Sequence, residues 1–212
     1  NSISKSTVVT SYGLVASAIL NCQAKKFSYE ALKSNVETYI QYLHTQDARL
    51  ADTLFQDHAH AVKHALDAYV QSKFIEPIPK DKESRHSETE YVINESKRPG
   101  LEYYKNNCIS FFIPAAFTAI EILKMDAFQF SANDLHTGYA FLQEFFKNEF
   151  AYDINLTPEH FVRKSIKAFI DDAMLVPHQT MPDTYNLTSI GYRKLKLYSN
   201  FLKTYFESYL IV

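Results

Sequence analysis

The chain has 212 residues, 46% of them hydrophobic, and 22 Lys and Arg against 24 Asp and Glu give a formal net charge of -2. That hydrophobic share excludes a disordered chain, and the balanced charge weighs against a dedicated nucleic-acid binder, which needs a basic field. With only 4 glycines in the whole chain, helices are expected rather than a many-turned β-sandwich.

The first expected element is a helix of small and apolar residues over about Thr10–Cys22. Nothing before it has the cationic, apolar and small-residue order of a signal peptide. Ser28 reads as the N-cap of a second helix. Leu32, Val36, Tyr39, Ile40 and Leu43 give that helix an apolar face at helical spacing. A third helix is expected over about His58–Lys73. Two short extended pieces follow, Phe74–Ile78 and Tyr91–Asn94, around the polar stretch Lys80–Glu90, and then a helix over Gly100–Phe112.

The same order then recurs. A helix is expected over Pro114–Leu123. A second is opened by Ser131, with Asp134 placed to close a capping box and an apolar face at Leu135, Tyr139, Leu142 and Phe146. A third runs over Thr157–Ala173, with Thr157 as N-cap and Pro158 at the first helical position. Extended pieces at Met174–His178 and Tyr185–Thr188 and a last helix over Gly191–Ile211 complete the chain. The longest apolar run, Cys108–Leu123, is shorter than the roughly 20 residues a bilayer needs, and Pro114 and Glu121 interrupt it. No transmembrane helix is expected. Cys22 and Cys108 both lie in apolar runs and read as buried free thiols, not a disulfide framework.

The recurrence extends to individual residues. When Ala61–Pro77 is placed over Phe161–Pro177, Val62 meets Val162, Leu66 meets Ile166, Tyr69 meets Phe169 and Pro77 meets Pro177. Phe27–Leu32 matches Phe130–Leu135, and Leu14–Leu20 matches Phe117–Leu123, in the same order. Three blocks in one order indicate an internal duplication. Helices followed by a two-stranded hairpin describe a winged-helix-like unit. The expected fold is therefore mainly α with short β-hairpins: two tandem winged-helix-like repeats, residues 1–97 and 98–212, the second carrying a C-terminal amphipathic helix.

Few residues point to chemistry. His178 and Asp183 have the H-x4-D spacing of glycerolipid acyltransferases, where a histidine base is oriented by an aspartate, but Pro182 lies between them and no Gly-rich block follows. His60, His64 and Asp67 would share a helix face that could hold a metal, yet the corresponding helix of the second copy has Lys164 in place of His64. Asn94, Asn155 and Asn186 head N-x-S/T triplets, which read here as caps and turns. No catalytic, cofactor-binding or metal-binding residue is assigned, and no cofactor is expected. The last helix sets Arg193, Lys196 and Lys203 on a polar face. Its apolar face carries Leu195, Tyr198, Leu202 and Tyr205, with Phe206 beside them. Leu202 and Phe206 are expected in the core. Arg193, Lys196, Lys203, Tyr209 and Leu210 form a candidate face for a membrane or a partner.

Three stretches, Val9–Leu20, Leu101–Ala116 and Leu187–Tyr209, together resemble the region after the catalytic domain in the large glycerol-3-phosphate and dihydroxyacetone-phosphate acyltransferases. They occur in family order across nearly the whole chain. The stretch "NNCIS" places Ser110 where the family pattern has a histidine. The resemblance implies a parent chain that moves a fatty acyl group from acyl-CoA or acyl-carrier protein to the 1-hydroxyl of glycerol 3-phosphate, peripheral to the cytoplasmic side of a membrane. It also implies that the catalytic motifs lie upstream and that the last helix continues beyond Val212. On that reading the segment is non-catalytic and buttresses the catalytic domain, its partner, at an anionic membrane surface. The alternative is a tandem winged-helix module for nucleic acid or a protein partner, resting on the helix with Arg163, Lys164 and Lys167; no nucleic acid is expected.

Overall fold

The structure, a computed structural model, describes residues 7–22, 24–46, 48–79, 88–150 and 155–210. These form two compact units, one up to Ile109 and one from Ser110. The expected division lay at 97/98. The helix Arg98–Asn106 instead belongs to the first unit, where it packs along the first helix.

In the first unit, β1 (Val8–Val9) pairs in parallel with β3 (Arg49–Leu50). Helix α1 (Ser11–Leu20) opens on Thr10, whose side chain accepts from the Gly13 amide at 3.3 Å. Its small residues allow close packing on both sides. Leu14, Val15, Ala16 and Ala18 are all fully buried, and a Cβ on Gly13 would stand 3.3 Å from the Tyr104 carbonyl oxygen of α5 (Arg98–Asn106). Strand β2 (Lys26–Ser28) runs into α2 (Tyr29–Thr45), capped by Ser28. Helix α3 (Asp52–Gln56) leads to α4 (His58–Gln71). The chain then turns through Lys73, in the left-handed region at φ 57°, into β4 (Ile75–Pro77) and β5 (Glu90–Ile93). The sheet order is β2-β5-β4, antiparallel throughout. Residues 80–87 of the expected polar stretch between the last two strands lie outside the described residues.

The second unit repeats the order of α1, β2, α2, α4, β4 and β5. It contains α6 (Ile109–Lys124), β6 (Gln129–Ser131), α7 (Ala132–Phe145), α8 (Pro158–Asp171), β7 (Leu175–Pro177) and β8 (Thr184–Leu187). Its sheet order is β6-β8-β7. The correspondence holds at single residues. Phe27 pairs with Tyr91 and Phe130 with Tyr185; Ile75 pairs with Ile93 and Leu175 with Leu187. The Phe74 amide donates to the Tyr69 carbonyl at 2.9 Å, and the Met174 amide donates to the Phe169 carbonyl at 2.8 Å. Ala173, like Lys73, is left-handed, at φ 53°. Ser131 and Asp134 form the expected capping box, and Thr157 caps α8 with Pro158 at its start.

Two expected helices are interrupted. Gly100–Phe112 divides between α5 and α6, because Cys108 turns back on α5: its amide and its thiol both donate to the Lys105 carbonyl, at 3.1 and 3.3 Å. Gly191–Ile211 divides into α9 (Ser189–Ser199), a 3₁₀ turn over Asn200–Leu202, and α10 (Lys203–Leu210). Leu202 is fully buried, and Phe201 stacks on Phe112 with ring centroids 4.5 Å apart. Phe206 is only half-buried, so the core expectation holds for Leu202 and not fully for Phe206. No single helix among the described residues is long and apolar enough to cross a membrane.

Candidate interaction surfaces

The sequence motifs with chemical potential are used structurally. The His178 Nδ1 lies 3.3 Å from the Thr180 amide and 3.2 Å from the Met181 amide and accepts from both, so it organises the β7–β8 turn. Asp183 is gripped at both oxygens by Arg163, at 3.1 and 3.3 Å. A base-orienting aspartate would have to face the imidazole, and this one faces a guanidinium. On α4, Asp67 pairs with Lys63 rather than with a histidine, and the exposed His64 meets the edge of Tyr12. Among the described residues no three His, Cys, Asp or Glu side chains gather to hold a metal. The N-x-S/T triplets supply caps as expected: the Asn94 side chain accepts from the Ser96 amide, Thr157 from the His160 amide and Thr188 from the Gly191 amide.

The candidate residues of the last helix have two different sets of neighbours. Arg193 and Lys196 lie on α9. The Lys196 ammonium sits 4.4 Å from the centroid of the Tyr192 ring. Lys194, between them in sequence, bonds both oxygens of Asp172 at 2.7 Å. Among the described residues, neither Arg193 nor Lys196 meets a carboxylate. Tyr192 also lines a small, shallow cavity of about 40 Å³ with Ile122, Leu123, Phe128 and Leu187, and Asp126 forms part of the wall. Phe128 is 75% exposed, Tyr192 is exposed beside it, and Ile190 is exposed at the start of α9.

Lys203, Tyr209 and Leu210 lie on α10, where the ionic groups are satisfied locally. Lys203 faces Glu207 at 3.9 Å, and the Tyr209 hydroxyl donates to Glu149 at 2.9 Å. That hydrogen bond raises the Tyr209 pKa above the usual phenol value. Leu210 is 85% exposed.

The sequence reading missed the partners of α10. Phe141 and Phe145 extend from α7, 66% and 42% exposed, with rings stacked at 6.0 Å. Phe145 meets Tyr209 at 5.1 Å, and the buried Phe146 meets Phe206 at 5.2 Å. The result is an aromatic surface continuous with the core. Its signal was present in "FLQEFF" (Phe141–Phe146). Leu135, Tyr139, Leu142 and Phe146 already fill one helix face, so Phe141 and Phe145 are surplus to it.

One family model matches residues 1–212, the whole chain; it is described as the glycerol-3-phosphate acyltransferase C-terminal region. No curated protein matches the chain.

Proposed function

Because this chain belongs to the family of glycerol-3-phosphate acyltransferase C-terminal regions, we propose that it is the non-catalytic part of such an enzyme and buttresses the catalytic domain. The parent chain would transfer a fatty acyl group from acyl-CoA or acyl-carrier protein to glycerol 3-phosphate, peripheral to the cytoplasmic side of a membrane. The observation that carries the buttressing role is the aromatic surface of α7 and α10. Exposed Phe141, Phe145 and Tyr209 form a run of rings that reaches the buried Phe146, with exposed Leu210 next to Tyr209 in the chain, and patches of that kind mark contact sites. The charges around them are already matched: Lys147 with Glu144 and Lys203 with Glu207. Such a surface suits an apolar protein face better than an anionic one.

We also read the two units as a duplicated winged-helix-like repeat. Strand order, pairing register and the left-handed residues Lys73 and Ala173 support that reading. The nucleic-acid alternative gains nothing here, since Arg163 is occupied by Asp183 and the chain carries a net charge of -2.

The test is the double variant Phe141→Ser and Phe145→Ser in an acyltransferase polypeptide that carries this region. Acyl transfer and resistance to thermal inactivation should both fall, while the variant 212-residue chain keeps its circular dichroism spectrum. Unchanged activity and inactivation would remove the buttressing role.

A further inference from the structure

We infer that the outward face of α9, with the loop that carries Phe128, is a docking surface for an anionic lipid bilayer. Three observations converge on it. Phe128 and Tyr192 are large side chains left in solvent at a shallow apolar cavity, and Ile190 is exposed at the start of α9. Arg193 and Lys196 stand on the same side of α9: Arg193 is three residues from Ile190 and from Lys196, and Lys196 lies over Tyr192. Among the described residues, neither cation is neutralised by a carboxylate, whereas their neighbour Lys194 is.

The chemistry fits a bilayer interface. Phenylalanine enters the acyl-chain region as a purely apolar ring, and tyrosine spans the boundary with its ring below and its hydroxyl at headgroup level. A guanidinium and an ammonium at the same level meet the phosphates of anionic lipids, each contributing through the surface potential. The cation over the Tyr192 ring couples the two components, because the ring that inserts also holds the charge at headgroup height. Asp126 sets the limit of the surface. Its carboxylate lines the cavity and repels phosphate, so the headgroups must meet Arg193 and Lys196 rather than the cavity wall. The face differs in kind from the α7–α10 surface, where the charges are matched.

The inference rests on the membrane placement proposed above and not on the buttressing surface. The experiment is sedimentation of the 212-residue chain with vesicles of phosphatidylcholine alone and of phosphatidylcholine with phosphatidylglycerol. Binding should require the anionic lipid and should weaken at about 0.5 M salt, where surface charges are screened. Each of Arg193→Ala and Lys196→Ala should lower partitioning by about five-fold, the factor expected for one interfacial cation. Phe128→Ala should lower it at every salt concentration, and Asp126→Asn should raise it. Melting curves of the four variants should stay close to that of the parent chain, because the replaced side chains of Phe128 and Arg193 are exposed. Absence of binding to either vesicle would overturn this surface; the membrane placement would fall only if a polypeptide carrying this region together with the catalytic domain also stayed unbound. Anionic binding that all four variants leave unchanged would overturn this surface alone.

Discussion

Lys105 is a costly residue to truncate in the first unit. It is 1% exposed, and its ammonium is held 2.5 Å from Glu102, itself largely buried. Breaking a buried pair leaves an uncompensated charge, whereas replacing it by an apolar group of similar volume is often neutral. Lys105→Ala should therefore cost about 3–5 kcal/mol in urea denaturation, and Lys105→Met about 1 kcal/mol or less. Equal losses for the two variants would mean that the charge is not what matters there. Cys108, at the end of the same turn, is a second buried ionisable group. Burial pushes its thiol up from 9.0 to about 11, offset in part by the Ser17 hydroxyl 3.5 Å away. An acid whose folded pKa is raised is most stabilising below the unfolded value and loses that advantage as pH climbs through the folded one. Its stabilisation should fall between about pH 9 and pH 11, and Cys108→Ala should remove that part of the pH dependence. Iodoacetamide near neutral pH should label half-buried Cys22 first and Cys108 only on unfolding. The sequence placed both cysteines in apolar runs but could not separate them. What buries Cys108 is its fold-back onto Lys105 and its contact with Ser17, 91 residues distant.

At the scale of elements, the local chemistry of helix ends was legible, because caps are decided within four residues. Ser28, Ser131, Thr157 and Thr188 each accept a backbone amide at the start of a helix. The short strands β2 and β6 were not legible. Three residues are too few to show a period of two, and their partner β5 or β8 lies far along the chain. The division of the last helix was also hidden, because it depends on where Phe112 meets Phe201. That division changes the energetics. Leu202→Ala should cost about 3–5 kcal/mol, as a fully buried leucine does, whereas Phe206→Ala should cost less than the core expectation implied. Gly191 is the tightest point of α9. A Cβ there would lie 2.0 Å from the Met174 carbonyl oxygen, and that oxygen belongs to the backbone. Gly191→Ala should thus lower the melting temperature by several degrees even though alanine is the better helix former. An unchanged melting curve would show that α9 can shift away from Met174 at little cost.

For the whole molecule, the proposed duplication has a consequence that neither unit has alone. If the two units descend from one pattern, matched positions should carry matched energetic loads and not only matched pairings. Leu66 and Ile166 occupy the same place on α4 and α8 and are 0% and 2% exposed. Phe27 and Phe130 hold the first strand of each sheet against Tyr91 and Tyr185, with ring centroids 5.8 and 6.1 Å apart. Truncating a buried Leu or Ile to alanine typically costs about 2–5 kcal/mol. Leu66→Ala and Ile166→Ala should each fall in that range and agree to within about 1 kcal/mol, and so should Phe27→Ala and Phe130→Ala. A melting temperature alone does not apportion a loss between two cores, since two-state unfolding cannot be assumed. Native-state hydrogen exchange reads each unit through its own amides. Phe74 and Met174 serve as reporters, because each amide closes the same turn onto Tyr69 or Phe169. Their opening free energies should drop by similar amounts when the matched residue in the same unit is replaced. A large drop at Phe74 for Leu66→Ala with none at Met174 for Ile166→Ala would leave the two units alike in outline only.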